Sequence, residues 1–370
     1  RGLHGESYHG HIFWDELFIF PFLDFQRPEL ARAMLEYRHA RIGAARAAAR
    51  QAGHRGAMFP WQSGSDGREE TQRIHLNPRS GRWLPDHTRL QRHVNIAIAY
   101  NVWQHFLVTG SIRFLRTDGA ELVLEIARYL SGIATYDAEL DRYEILGVMG
   151  PDEYHDAYPD SDRPGLDNNT YTNVMTVWVL LRALEVLDVL PLHYRQEVVE
   201  EVGIGQDELH RWRGIICKMR VLLHVDGVLT QFEGYEQLPE FDWQGYRAKY
   251  GDIQRLDRLL EAEGDSANRY KVSKQADTLM LLFLLSRDEL RDLLHNLGYE
   301  VSADQITRTV RYYLDRTSHG STLSGVVTAW VLARYDPEQA WPFVLDALES
   351  DIADAQGGTT AEGIHLGAMA

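Results

Sequence analysis

The feature that most constrains this chain is its helical periodicity. Apolar residues recur at three- and four-residue spacing through roughly 90–109, 119–133, 172–190, 206–224, 275–286, 287–297, 302–315, 322–335 and 338–350. That is the pattern of helices with one buried face. Residues 28–52 add one long helix, with Pro28 and Glu29 in its first turn, an Ala/Arg-rich body and a stop at Gly53. Strand signals are scarce. Asp226-Gly227, between Leu222-Leu223 and Val228-Leu229, is the best two-residue hairpin turn. This balance predicts an all-α domain.

Between the helices run long polar, aromatic, glycine-bearing connections at 1–24, 54–89, 147–171, 230–250 and 316–321. Loops of that length in a compact domain are generally functional. No Pro- or Ser-rich linker divides the 370 residues and no short repeat recurs, so one domain over 1–370 is expected. The chain begins at Arg1 and ends at Ala370 after a Gly-rich run at 356–359, which reads as a domain excised from a longer protein. A net charge of −16 argues against nucleic-acid and anionic-membrane partners. The longest apolar runs, such as 174–184 with Arg182 inside, are too short to span a membrane. The single cysteine, Cys217, excludes an internal disulfide framework and fits a reducing, cytoplasmic setting. His4, His9 and His11 match no zinc spacing, so no metal is expected.

Five stretches carry chemistry-bearing groups. Gly150-Pro151-Asp152-Glu153-Tyr154-His155 sets two carboxylates, a phenol and an imidazole in a turn after an apolar run. A carboxylic acid among apolar neighbours holds its proton to higher pH and can donate it; the plain alternative is a solvated turn that caps the next helix. Phe13-Trp14-Asp15 and Phe59-Pro60-Trp61 pair aromatic faces with polar edges, which suits a sugar ring as well as it suits a core. Lys274-Gln275 opens the helix that runs to Leu285. A lysine there is unfavourable unless something negative lies nearby, although an exposed lysine would also explain it. Thr317-Ser318-His319-Gly320-Ser321-Thr322 precedes an apolar helix and contains no acid. Its hydroxyls, its glycine and the following helix N-terminus form a candidate anion cradle, with Lys274 and His319 as sources of positive charge. A simple Ser/Thr cap accounts for only part of that run. Glu362 is a further acid in a Gly-rich setting.

Read in order, these segments resemble the central catalytic domain of glycoside hydrolase family 65, the maltose, trehalose and kojibiose phosphorylases. The resemblance starts at residues 1–6 and His11 to Asp15 and passes through Phe59-Pro60-Trp61, Gly150 to His155 and Asn168 to Asn173. It continues at Lys274 to Asp277 and ends with Thr317 to Ser324 and Gly357 to Gly367.

It implies an (α/α)6 barrel with the pocket at one end, flanked in the family by β domains. It implies Glu153 as general acid, with Trp14, Asp15, Trp61, Lys274 and Gln275 around glucose and Ser318, His319, Gly320 and Ser321 around phosphate. Inorganic phosphate would be the co-substrate, no cofactor would be needed, and dimers among relatives set the expectation of a homodimer. Inverting hydrolysis needs an acid and a base, whereas phosphate is already an anionic nucleophile, so the acid-free loop favours phosphorolysis. Hydrolysis with Glu362 as base, and a non-catalytic sugar-binding role, remain alternatives. Residues 62–93 depart from the maltose type and look nearer the trehalose and kojibiose types. Their arginines, Arg68 and Arg79 among them, together with His93 mark an acceptor side that could take a sugar phosphate; a solvated loop is the plain alternative.

Overall fold

The computed structural model describes residues 10–152, 154–349 and 367. Among them the helices are α1 Glu16–Gln26, α2 Pro28–His39, α3 Ile42–Gln51, α4 His93–Thr109, α5 Ile112–Phe114, α6 Ala120–Ile133, α7 Thr170–Val189 and α8 Leu192–Val202. They continue with α9 Gln206–Lys218, α10 Trp243–Tyr250, α11 Leu256–Ala262, α12 Asp277–Leu284, α13 Arg287–Asn296, α14 Ala303–Leu314, α15 Thr322–Leu332 and α16 Pro337–Glu349. Two small antiparallel hairpins interrupt the series: β1 Ile74–Leu76 with β2 Trp83–Pro85, and β3 Ala134–Asp137 with β4 Arg142–Ile145.

The helices fall into the two classes that an (α/α)6 barrel requires. Some are buried nearly all round: α7 is buried without a break from Thr170 to Leu180, and α12 from Asp277 to Leu282. Others bury one stripe. In α14 it is Ile306, Thr309, Val310 and Tyr313, and in α13 Leu290, Leu293 and Leu294, the spacing of one helical face. A double-sided core thus separates an inner ring from an outer one.

Several boundaries differ from the sequence expectation, each for a local reason. The helix expected over 28–52 is two helices. Arg41 leaves helical geometry (φ −110°, ψ 10°) and its guanidinium donates to the Ser65 and Tyr37 carbonyls while lying 4.0 Å above the Tyr37 ring. The stretch 1–24 is not all loop, because α1 begins at Glu16; its run of aromatics around Pro21 has no clear period. Helix α9 stops at Lys218 rather than 224 because Met219 turns extended. Asp226-Gly227 makes a turn closed by one bridge, Leu223 to Leu229, and no strand. Helix α12 starts at Asp277, so Lys274 and Gln275 lie in the segment before it.

That segment matters for the site. Ser273 pairs in parallel with Thr317, and the Ser318 N–H donates to the Ser273 carbonyl at 2.8 Å. The loop before α15 and the segment before α12 therefore travel together. A satellite core of Tyr154, Phe241, Leu256, Leu260, Ala267 and Val272 packs beside them. Asn169 caps α7, its side chain accepting from the Thr172 N–H and donating to Asp277 Oδ2 at 2.6 Å. Gly150 lies so close to Asp277 and Asn169 that no Cβ would fit there.

Candidate active site

A cleft of about 1800 Å³ opens over these loops. Its floor holds Trp14, Asp15 and Trp61. Trp14 and Trp61 are largely buried, with ring centroids 6.3 Å apart, and Phe13 meets the edge of Trp61 at 6.2 Å. The turn that presents them is anchored from below. Arg38 Nε donates to Glu16 at 2.9 Å and its Nη2 to the Phe13 carbonyl at 3.3 Å, with Arg38 and Glu16 both buried. Burial pushes the Glu16 carboxyl up, and Arg38 opposes that shift.

One wall is the turn at 150–155. The Asp152 carboxylate accepts from the Lys274 N–H at 2.9 Å and from the His155 N–H and Nδ1 at 3.2 and 2.6 Å. His155 Nε2 in turn meets the Tyr270 carbonyl at 3.0 Å. Tyr154 lines the cleft; its hydroxyl lies 2.6 Å from the Gln254 carbonyl and 2.8 Å from Ser318 Oγ, and it accepts from the Leu256 N–H at 3.2 Å. Glu153 itself lies outside the described residues, as does Glu362. The same holds for His4 and His9.

Against this turn lies the loop before α15. Gly320, Ser321 and Thr322 line the cleft with Lys274, and the Ser321 hydroxyl caps α15 by accepting from the Leu323 N–H. Gly320 is pressed between the Gln254 carbonyl, the Tyr154 hydroxyl and the Lys274 side chain. So Lys274, Gly320, Ser318 and the 150–155 turn occupy one place. His319 supplies no charge there, contrary to the expectation. Burial, with Arg247 nearby, pushes its imidazole down to about 4, and its ring packs on Phe343 with Nδ1 3.0 Å from Ser324 Oγ. Gln275 is buried and does not line the cleft.

Positive charge comes instead from residues that the sequence reading passed over. Arg255 and Arg258, either side of Asp257 at the start of α11, line the cleft with Lys274. Burial pushes the Asp257 carboxyl up, but Arg255, which holds it with two bonds of 3.1 and 2.6 Å, together with Lys274 and Arg258 brings it below the usual range. Two arginines three residues apart beside the apolar Leu256, Leu259 and Leu260 were the available signal.

The acceptor-side candidates are not brought together. Arg68 is exposed and paired with Asp66 at 2.6 Å, and Arg79 lies 4.8 Å over the Tyr250 ring. His93 is fully buried beneath the floor, 4.6 Å from Trp14 and 5.3 Å from Trp61, and burial holds its imidazole down at about 3. The β1–β2 hairpin and α11 line the cleft as well. Glu261 ties them, accepting from Asn77 Nδ2, Ser80 Oγ and Arg82 Nε at 2.5, 2.6 and 2.5 Å.

Known proteins are similar to this chain in sequence and in fold. The chain is 57% identical over 370 residues to an uncharacterized glycosyl hydrolase of Mycobacterium tuberculosis, covering 100% of this chain and 28% of that protein. It is 42% identical over 371 residues to trehalose 6-phosphate phosphorylase of Lactococcus lactis, covering 100% and 46%. Kojibiose phosphorylase of Halothermothrix orenii is 33% identical over 339 residues, covering 89% and 40%. The chain thus spans less than half the length of these relatives. A solved putative kojibiose phosphorylase from the human microbiome superposes with a TM-score of 0.80 at 23% identity, over 100% of this chain and 49% of that one, and shares the fold. The model of the glycosyl hydrolase family 65 central catalytic domain matches residues 1–370, and the chain belongs to that family.

Proposed function

We propose that this domain catalyses inverting phosphorolysis of an α-glucosidic disaccharide. Inorganic phosphate attacks the anomeric carbon while Glu153 gives its proton to the departing glycosidic oxygen. The C1–O bond to the acceptor breaks, a C1–O bond to phosphate forms, and β-glucose 1-phosphate and a free acceptor sugar result. Trp14 and Trp61 offer apolar faces to the glucose, and Asp15 accepts from its hydroxyls. A single observation carries the reading: Lys274 and the acid-free loop before α15 pack directly against the 150–155 turn at one cleft. A hydrolase would need a carboxylate where this loop offers only hydroxyls, an imidazole and backbone, with Lys274 beside it. The relatives named as phosphorylases support the same reading.

For the acceptor, Arg255 and Arg258 in the cleft favour a sugar phosphate over a neutral sugar, because guanidinium groups pair two-pronged with phosphate. A phosphorylated product would also be retained inside a cell, in keeping with a cytoplasmic enzyme. The test is a panel of trehalose, trehalose 6-phosphate, kojibiose and maltose given to the full-length protein with and without phosphate. Phosphate-dependent release of β-glucose 1-phosphate is expected, with trehalose 6-phosphate preferred. Glucose release that is indifferent to phosphate would overturn the proposal.

A further inference from the structure

Three oxygens behind the cleft, of which that of Tyr154 belongs to a lining residue, form a closed hydrogen-bonding group. The Tyr154 hydroxyl has one hydrogen, which burial keeps in place by pushing the phenol's pKa far above its ordinary value. Around that oxygen stand the Gln254 carbonyl at 2.6 Å, which only accepts, and the Leu256 N–H at 3.2 Å, which only donates. Ser318 Oγ, at 2.8 Å, can do either. If Tyr154 donates to Gln254, the Ser318 hydrogen goes to Tyr154. If Tyr154 donates to Ser318, the Ser318 hydrogen has the Gln254 carbonyl at 3.3 Å. In both orders the two hydroxyl hydrogens are consumed among the three oxygens. Ser318 can thus spend its hydrogen inside the group rather than on an oxyanion.

The group also joins three pieces of chain that are far apart in sequence. Tyr154 directly follows Glu153, and Ser318 lies 164 residues further on, in the loop before α15. Gln254 and Leu256 lead into α11. On the other side of Glu153, Asp152 is fixed to the Lys274 N–H. The chain is therefore tied to the anion loop after Glu153 and to the lysine segment before it, and these two partners are paired with each other at Ser273 and Thr317.

We propose that Tyr154 is a positioning residue and Ser318 its tether: together they hold the Glu153 turn in register with the anion-binding loop, and Ser318 is not a hydrogen-bond donor to phosphate. The inference rests on the phosphorolysis reading above for the identity of the nucleophile. It assigns to Ser318 a duty different from the one expected from the family pattern. A loop that binds the nucleophile and a turn that carries the acid are, on this account, one mechanical unit.

The experiment is a double-mutant cycle of Tyr154→Phe and Ser318→Ala in the full-length protein, with two glucosyl donors and phosphate varied. One donor is the disaccharide that turns over in the panel, whose leaving oxygen needs the acid. The other is α-glucosyl fluoride, whose fluoride leaves with little protonation. For the disaccharide, each single substitution is expected to lower kcat about tenfold, and the double to lower it no more than about twofold further. The KM for phosphate stays within about twofold, and turnover of the fluoride falls less than about threefold. A merely structural defect would depress both donors alike, and that result would overturn the inference. So would independent, multiplying losses, or a roughly tenfold rise in phosphate KM for Ser318→Ala with both donors. Should Tyr154→Phe fail to fold, Ser318→Ala alone decides between tether and phosphate donor through that KM. Should the wild type cleave both donors without phosphate, the phosphorolysis reading falls while the donor comparison still decides the tether.

Discussion

Gly320→Ala tests how closely the two walls of the cleft are fitted. A Cβ there would stand 3.0 Å from the Tyr154 hydroxyl and 3.1 Å from Lys274 Cγ, and would overlap the Gln254 carbonyl oxygen. The overlap is about 1 Å against ordinary contact. The Gln254 group is backbone, so the methyl cannot be absorbed by turning a side chain; the loop before α15 or the lead into α11 has to shift by a similar distance. Overpacking of this kind costs about 2 kcal/mol of stability. A protein with roughly 5–15 kcal/mol in hand stays almost entirely folded after that loss. A displacement of about 1 Å at reacting groups, by contrast, costs about 100-fold in rate, or roughly 2.7 kcal/mol of transition-state stabilisation. The expected result is thus a melting point lowered by a few degrees and a kcat/KM lowered about 100-fold. Initial rates of phosphate-dependent glucose 1-phosphate release and a thermal melt read the two effects separately. Gly43→Ala is the control: a Cβ there meets nothing within 4 Å in the first turn of α3, so stability is expected to rise by about 0.5 kcal/mol with the rate unchanged. If Gly320→Ala keeps kcat/KM within about threefold of wild type, the fit between the walls does not set the reacting geometry and the reasoning fails.

Three other substitutions probe the supports of the site. Asp152→Asn takes a buried charge from the Lys274 N–H and from His155; about 3 kcal/mol of stability and most of the turnover should be lost, and an unchanged denaturant midpoint would refute its role as an anchor. Arg38→Met leaves Glu16 buried without its partner, which should cost about 3 kcal/mol at pH 7. The cost should shrink toward pH 5, since burial already raises the Glu16 carboxyl and loss of Arg38 lets it take up a proton; denaturation at the two pH values measures this. His93, held at about 3, binds its proton more weakly folded than unfolded, so its contribution is present above the ordinary imidazole value and is lost as pH falls from 6.5 toward 3. Between pH 7 and pH 5 wild type should lose about 2 kcal/mol through this group, and His93→Gln should lose that much less over the same interval in urea titrations.

The helices were legible where one face repeats. Ser302 with Gln305 and the stripe from Ile306 to Tyr313 announce α14, and the capping box is present. Helix α1 was not legible, because Phe18, Phe20, Phe22 and Phe25 around Pro21 give no period that separates an inner from an outer face. The two hairpins lack the Asn-Gly or Asp-Gly turn that marks a tight connection; β3 and β4 are joined through 138–141, with Asp141 in the left-handed region. At the site, motifs such as Trp14-Asp15 and Lys274 could be read one at a time. What could not be read is which of them meet. Asp152 finds Lys274 across 122 residues and Tyr154 finds Ser318 across 164, contacts that only the closed barrel makes. The charge of His319 was misjudged for the same reason, since it depends on burial that no local pattern records.

The carboxylate of Glu261 gathers the β1–β2 arm onto α11 through three side chains that all lie between Asn77 and Arg82. On the proposed reading, a change confined to that arm would reshape the cleft beside Arg258 and leave the 150–155 turn and its partners untouched.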